Sequence, residues 1–462
     1  MQRDLTRGPV MPAMLRFALP MIAGNLLQQG YNIADTWIVG RYLGSNALAA
    51  VGSAFTLMTF LTSILLGLCM GSGAVFSIRF GQRDETGLRE AVSASFALIA
   101  GLTVLLTALA WGSLDWVRGF LRVPEAVWPL LRTYLRIVYA GIVATFLYNF
   151  AASLLRALGN SAAPLLFLAV SAVMNIGLDL WFVLGLKRGV VGAAEATVIS
   201  QYVSGAGMMV WALLRCPQAR VWQTRVRPGR VAEIARYSGL TCVQQSVMNL
   251  GILLVQGLVN SFGPVMMAAF AAAVKIDAFA YMPVQDFGNA FSTFVAQNHG
   301  AGQRQRIRQG VRGAGLAALG FCLVVSAVVC ALAEPLMGIF VDPGETAIIR
   351  EGARYLRIEG ACYVGIGWLF LLYGLYRALE RPGMSVVLTV LSLGTRVALA
   401  YLLSGVEVIG VVGIWLAVPI GWALADAVGI GYYLLRRDRL LPKADDTAQN
   451  AAACGKNAGD VL

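Results

Sequence analysis

Twelve apolar stretches, each of at least ~20 residues, follow one another along this chain, and no other feature restricts its fold as much. They run over 13–39, 46–76, 91–114, 130–153, 162–186 and 190–214. After a basic connector they resume over 233–261, 265–296, 314–333, 356–378, 384–404 and 410–435. A helix of ~20 residues crosses ~30 Å of hydrocarbon, and lipid offers no partner to an unpaired backbone group. The expected fold class is an all-α polytopic membrane protein, with twelve transmembrane helices in two six-helix lobes related by a pseudo-two-fold axis. Composition agrees, since 58% of the residues are hydrophobic and only 13% charged. A water-soluble domain has too little interior to hide that much apolar surface.

Charge sets the orientation. The net +12 arises from 36 basic and 24 acidic residues. With the N-terminus inside, 24 of the Lys and Arg residues fall on cytoplasmic segments and ten on the outer side, while Lys275 and Arg396 stay within helices. That is the positive-inside pattern for an even number of spans, so both termini are expected in the cytoplasm and no nucleic-acid partner is implied. Arg3, Arg7 and Arg16 lead into a full spanning run without a clear cleavage site, unlike a removable signal peptide. The expected domains are a six-helix lobe over 1–214, a basic cytoplasmic connector over 215–232, a second lobe over 233–437 and a disordered tail over 438–462. Seven scattered cysteines suggest neither a disulfide framework nor a metal motif, and a single histidine, His299, excludes a histidine-built metal site.

The chain repeats itself. Displaced by 219 residues, Gly44 meets Gly263, Gly81 meets Gly300 and Arg89 meets Arg308. Displaced by 221, Arg156-Ala157-Leu158 meets Arg377-Ala378-Leu379, and Gly189-Val190-Val191-Gly192 meets Gly410-Val411-Val412-Gly413. Six helices per half leave both halves in the same orientation, with substrate expected between them near the midplane. The repeat also acts as an internal control. Asn175 and Asp179 map onto Arg396 and Ala400, Asp35 onto Leu254, and Thr197 onto Val418. Folding needs common to both halves do not demand the first-half acids.

A carboxylate in mid-helix costs about 2.5–3.5 kcal/mol on insertion scales, so it usually has a task. Asn175 and Asp179, spaced i, i+4, share a helix face. With Asp35 and the Thr197 hydroxyl they make an all-oxygen set suited to a hard monovalent cation. If the acids approach closely, their repulsion and lost hydration also suit the pocket to a proton. The bland reading is interhelical glue, but two acids without a nearby base make poor glue. Glu195, two residues from Thr197, points elsewhere on its helix. Lys275, Asp277, Asp286, Glu359, Arg396 and Asp426 are the second-half charges, read as cavity lining or charge pairing, with Arg396 and Asp426 as candidate partners. Pro20, Pro283 and Pro419 are expected to kink their helices, Pro20 as a hinge. Gly67 and Gly71 have the spacing of a close helix contact. No nucleophile–base set is present, so no enzyme chemistry is expected.

Several of these residues belong to blocks that resemble the multidrug and toxic compound extrusion (MATE) transporters, in the branch with DinF-like bacterial members. The strongest block is Lys275-Ile276-Asp277-Ala278-Phe279-Ala280-Tyr281-Met282-Pro283 with Gln297-Asn298-His299-Gly300. Asp35-Thr36-Trp37, Arg156-Ala157-Leu158-Gly159-Asn160 and Gly192-Ala193-Ala194-Glu195-Ala196-Thr197 support it, over residues 10–437. The resemblance implies two lobes around a cavity that opens alternately to either side. It implies Na⁺ or H⁺ exchanged for cationic or amphipathic organic compounds, with no other cofactor, in the plasma membrane, by a monomer. It also implies that Asp35, Asn175, Asp179 and Thr197 form the cation site and that Pro20 marks a bend in helix 1. Relatives use second-lobe acids on helices 7 and 10, where this chain has Gln244-Gln245 and no deep acid. A lipid-linked precursor flippase of the same superfamily and a membrane-embedded enzyme are the alternatives.

Overall fold

A computed structural model of the chain describes residues 4–120, 123–220, 227–406 and 408–441. Its regular elements are all helical. The first half contains α1 (Val10–Leu43), α2 (Ser45–Gly81), α3 (Glu85–Gly112), the short α4 (Leu114–Phe120), α5 (Trp128–Val138), α6 (Gly141–Ala157), α7 (Ala162–Asp179) and α8 (Gly189–Arg215). The second contains α9 (Pro228–Asn260), α10 (Pro264–Gly300), α11 (Arg304–Ala331), the short α12 (Ala333–Met337), α13 (Thr346–Gly360), α14 (Tyr363–Ala378), α15 (Pro382–Ser404) and α16 (Val412–Leu440).

Among the described residues, ten helices are long and apolar enough to cross a membrane unaided. The pairs α5–α6 and α13–α14, bent by 45° and 53°, bring the spans to the expected twelve. Neither bend has a proline at its break, which falls at Tyr139-Ala140 and at Ala361-Cys362. Pro20, Pro283 and Pro419 instead lie inside helices that continue through them. The broken spans therefore occur where the proline rule did not mark them. The two breaks occupy equivalent places in the repeat.

Backbone conformation follows the repeat as well. Gly44 and Gly263, which open α2 and α10, have φ of 84° and 95°. Gly189 and Gly410, which precede the last span of each half, have φ of 60° and 53°. A side chain is strained at such angles, so each pair keeps its glycine for the same conformational reason.

Packing divides the chain into two units. One comprises Met1–Asp4, Leu15–Phe76 and Asp84–Leu253; the other comprises Leu5–Met14, Ser77–Arg83 and Leu254–Leu462. In the first unit, α2 crosses α9 at the predicted small-residue contact. A Cβ on Gly67 would stand 2.6 Å from the Cα of Cys242, and one on Gly71 would stand 2.6 Å from that of Ser238. The hydroxyls of Ser72 and Ser238 bond across the same crossing at 2.8 Å. The second unit is centred on aromatics. Phe270 stacks on Trp415 with centroids 5.5 Å apart, and Tyr355 meets Trp415 edge-on at 4.9 Å. There the Gln297-Asn298 motif has a structural task. Leu5 N donates to Gln297 Oε1, and Asn298 Nδ2 donates to Leu5 O, at 3.0 and 3.2 Å. Arg306 completes the knot by donating to Asn298 Oδ1 and Gly8 O. The connector residues 221–226 and the expected tail from 442 onward lie outside the described residues.

Candidate functional site

The first unit brings its acids together. Asp35 lies in the last third of α1, half-buried, and Asp179 ends α7 with no exposed surface. Directly after Asp179 the helix widens into a π-type segment, Leu180–Gly185, in which Leu186 N bonds back to Trp181 O. Such widenings shift the register of a helix and are frequent at functional sites. The Asp35 and Asp179 carboxyls come within hydrogen-bonding reach of each other. Neither oxygen of Asp179, nor Oδ1 of Asp35, meets a donor. Asn175, one turn before Asp179 and 3% exposed, also buries an unpaired Oδ1.

Tyr31 and Tyr134 close the pocket. Tyr134 of α5 is buried beside both carboxyls and within reach of the Thr197 hydroxyl. Thr197 itself donates to Ala193 O at 3.0 Å, which leaves its oxygen lone pairs available. α8 carries Thr197 to this point because it packs on both α5 and α7. Glu195 turns away, as its spacing predicts, and pairs with Arg188 at 2.5 Å.

Chemistry limits what such a pair can do. Two carboxyls share a hydrogen bond only when at least one carries a proton, and where the other is ionised the pair holds a negative charge. Burying that charge uncompensated is expensive. Among the described residues no Lys or Arg is an electrostatic neighbour of either acid. Two carboxylates, an amide oxygen and a hydroxyl are hard oxygen donors of the kind a small cation takes.

The second unit treats its charges differently. Asp277 of α10 and Glu359 of α13 are 2% and 3% exposed and lie within hydrogen-bonding reach of each other. Tyr363 donates its hydroxyl to Asp277 Oδ1, and Tyr355 is within reach of both acids. Arg396 of α15 is an electrostatic neighbour of both carboxyls. The expected partnership of Arg396 with Asp426 does not form: Asp426 is buried on α16 with Oδ1 unpaired and no charged neighbour. Lys275 lines a separate cavity with Ala268, Ala272, Phe340, Val341 and Ile348. Asp286 is buried in α10. Glu359 belongs to the tenth spanning helix, where no deep acid was expected, yet it is buried and forms half of an acid pair.

Up to twelve spans and an internal duplication are the architecture of a polytopic membrane protein. The MatE family profile matches residues 20–181 and again 241–402, two copies 221 residues apart. The chain belongs to that family. The probable multidrug resistance protein YpnP of Bacillus subtilis is 28% identical over 84% of this chain and 87% of its own. The FAD transporter of Shewanella oneidensis is 26% identical over 94% and 96%. Among solved structures, an outward-facing multidrug resistance MATE transporter of the MOP superfamily superposes with a TM-score of 0.88 at 24% identity, covering 95% of this chain and 98% of that one.

Tyr134 and Tyr31 escaped the sequence reading. A signal for the first was present: Tyr134-Leu135-Arg136-Ile137 recurs 221 residues later as Tyr355-Leu356-Arg357-Ile358. Both tyrosines of that repeated block prove to face an acid pair.

Proposed function

We propose that the chain is a cation-coupled antiporter, exporting cationic or amphipathic organic compounds from the cytoplasm in exchange for Na⁺ or H⁺ by alternating access. Asp35, Asn175, Asp179 and Thr197 hold the coupling cation, with Tyr134 as a further wall of the site. The observation that carries this reading is the juxtaposition of Asp35 and Asp179 with no basic side chain beside them. It acts as a plasma-membrane monomer with both termini in the cytoplasm, in keeping with its basic-residue distribution.

An entering cation neutralises the pair, and the neutral and charged pockets favour different arrangements of α1. That differential binding is what an ion needs to shift a two-state equilibrium. Pro20 removes one backbone hydrogen bond from α1 and so lowers the cost of bending there. One cation crossing 100 mV supplies about 2.3 kcal/mol, enough to hold about a fortyfold gradient of exported compound at ~1.4 kcal/mol per tenfold. No ATP is required.

The test is efflux from proteoliposomes under separately imposed Na⁺ and pH gradients. The dye panel includes a cationic dye and FAD, since the relative from Shewanella oneidensis is named for a phosphate-bearing cargo. Efflux driven by one gradient and lost in Asp35→Asn supports the reading. Gradient-driven efflux that survives both Asp35→Asn and Asp179→Asn overturns it.

A further inference from the structure

The repeat sets two pockets of different charge balance beside equivalent tyrosines. Tyr134 maps onto Tyr355, and Asn175 maps onto Arg396, under the same 221-residue displacement that separates the two family matches. Tyr134 is 5% exposed and Tyr355 2%, and each faces two carboxyls within hydrogen-bonding reach of one another. The acids differ in origin: α1 and α7 supply them in the first half, α10 and α13 in the second. The polar room beside the conserved tyrosine position is thus built twice, from different helices.

What differs is the counter-charge. We propose that Arg396 is a tethered cation, taking in the second half the place that a mobile cation takes in the first, and thereby restricting ion exchange to one site. This rests on the reading of the first pocket as the coupling site. The groups facing the second pair are Tyr281 from α10, Tyr355 from α13, Cys362 between α13 and α14, Tyr363 from α14 and Arg396 from α15, with Trp415 of α16 behind Tyr355. Arg396 is the one cation among them; Lys275 looks into its separate cavity.

The charge count closes in one pocket and not in the other. Asp277 and Glu359 sharing one proton carry −1, and Arg396 cancels it. Asp35 and Asp179 sharing one proton also carry −1, and no Lys or Arg among the described residues cancels that. Arg396 makes no ion pair within 4 Å of either acid, and its Nε is buried without a hydrogen-bond partner. It therefore compensates the pair across space and does not clamp it. A fixed guanidinium keeps its charge at any physiological pH and cannot leave, so this pocket cannot take part in exchange.

The experiment uses the full chain in detergent with the first site removed by Asp35→Asn/Asp179→Asn. Bound cation beyond the one proton that the pair shares is counted twice, as ²²Na⁺ by equilibrium dialysis and as protons taken up relative to the same protein carrying Asp277→Asn/Glu359→Gln. In this background the expected count is zero. Adding Arg396→Gln raises it to one, as sodium or as a proton, and the two probes show which. Adding Asp277→Asn returns it to zero, and Arg396→Lys leaves it at zero. A monodisperse Arg396→Gln protein that still binds none overturns the proposal. So does a second Asp277-dependent cation, beyond the shared proton, in the background that retains Arg396, an arm that needs no arginine variant to fold. Failure of the first-pocket reading shows separately, as equal cation binding by the wild type and the Asp35→Asn/Asp179→Asn protein.

Discussion

Asp35 with Asp179 and Asp277 with Glu359 are both pairs of carboxyls withdrawn from water, each beside a buried tyrosine from equivalent positions of the repeat. Around the first pair the chain supplies only oxygens; around the second it adds a guanidinium and a tyrosine hydroxyl bond from Tyr363. On the proposed reading, the same duplicated scaffold supports a pocket that takes its counter-charge from solution and one that carries its own. Duplication supplied the frame, but the acids come from different helices in the two halves, and the position that holds Asn175 in the first holds Arg396 in the second.

The comparison breaks most readily at the first pair. Asp179→Asn removes the acid that has no donor, and gradient-driven efflux is expected to fall by about 5–150-fold, the range of a 1–3 kcal/mol coupling energy. Glu359→Gln leaves Arg396 opposite Asp277 alone and is expected to change gradient dependence far less. Equal losses of gradient dependence in reconstituted efflux would erase the distinction between the pockets.

A second effect concerns the frame rather than the sites. Gly71→Leu places a side chain where a Cβ already lies 2.6 Å from the Ser238 Cα, and the expected loss is about 1–3 kcal/mol, as for other overpacked contacts. Gly177, one residue from Ile176 on α7, has open space around its Cβ position, so Gly177→Ala is expected to stabilise by roughly 0.5–1 kcal/mol. Thermal unfolding in detergent gives both signs. A stable Gly71→Leu would mean that the α2–α9 crossing can open without cost.

The fold was legible because its signals are long and redundant. Twenty-residue apolar runs, a positive-inside bias and matched Gly44/Gly263 and Gly189/Gly410 pairs all state the same architecture. The first pocket was legible through a difference: the acids stood out because their repeat partners Leu254 and Ala400 are apolar. The second pocket was hidden by the same logic, since Asp277 and Glu359 have no acidic counterpart at Met58 and Val138 and come together only in the folded chain. Arg396 was visible as an intramembrane charge, yet spacing along the chain could not choose between Asp426 and a pair on α10 and α13. The broken spans were missed for a related reason. The break at Tyr139-Ala140 has no proline to announce it.

The tyrosines sharpen the comparison at a smaller scale. Tyr134→Phe keeps the ring and removes one hydroxyl near Thr197 and both acids of the first pair. Loss of one hydrogen-bonding group of this kind is worth about 0.5–1.5 kcal/mol, so the cation concentration for half-maximal efflux is expected to rise about two- to tenfold. Tyr355→Phe removes the matching hydroxyl from a pocket whose charge Arg396 already balances, and half-maximal cation concentration should stay unchanged while thermal stability falls by a similar energy. The surface pair Arg188–Glu195 sets the floor, because its side chains are 44% and 26% exposed and such pairs contribute at most about 1 kcal/mol. If Tyr355→Phe moves the cation dependence more than Glu195→Gln does, the second pocket is in communication with the transported ion, and its balance is less complete than its charges imply.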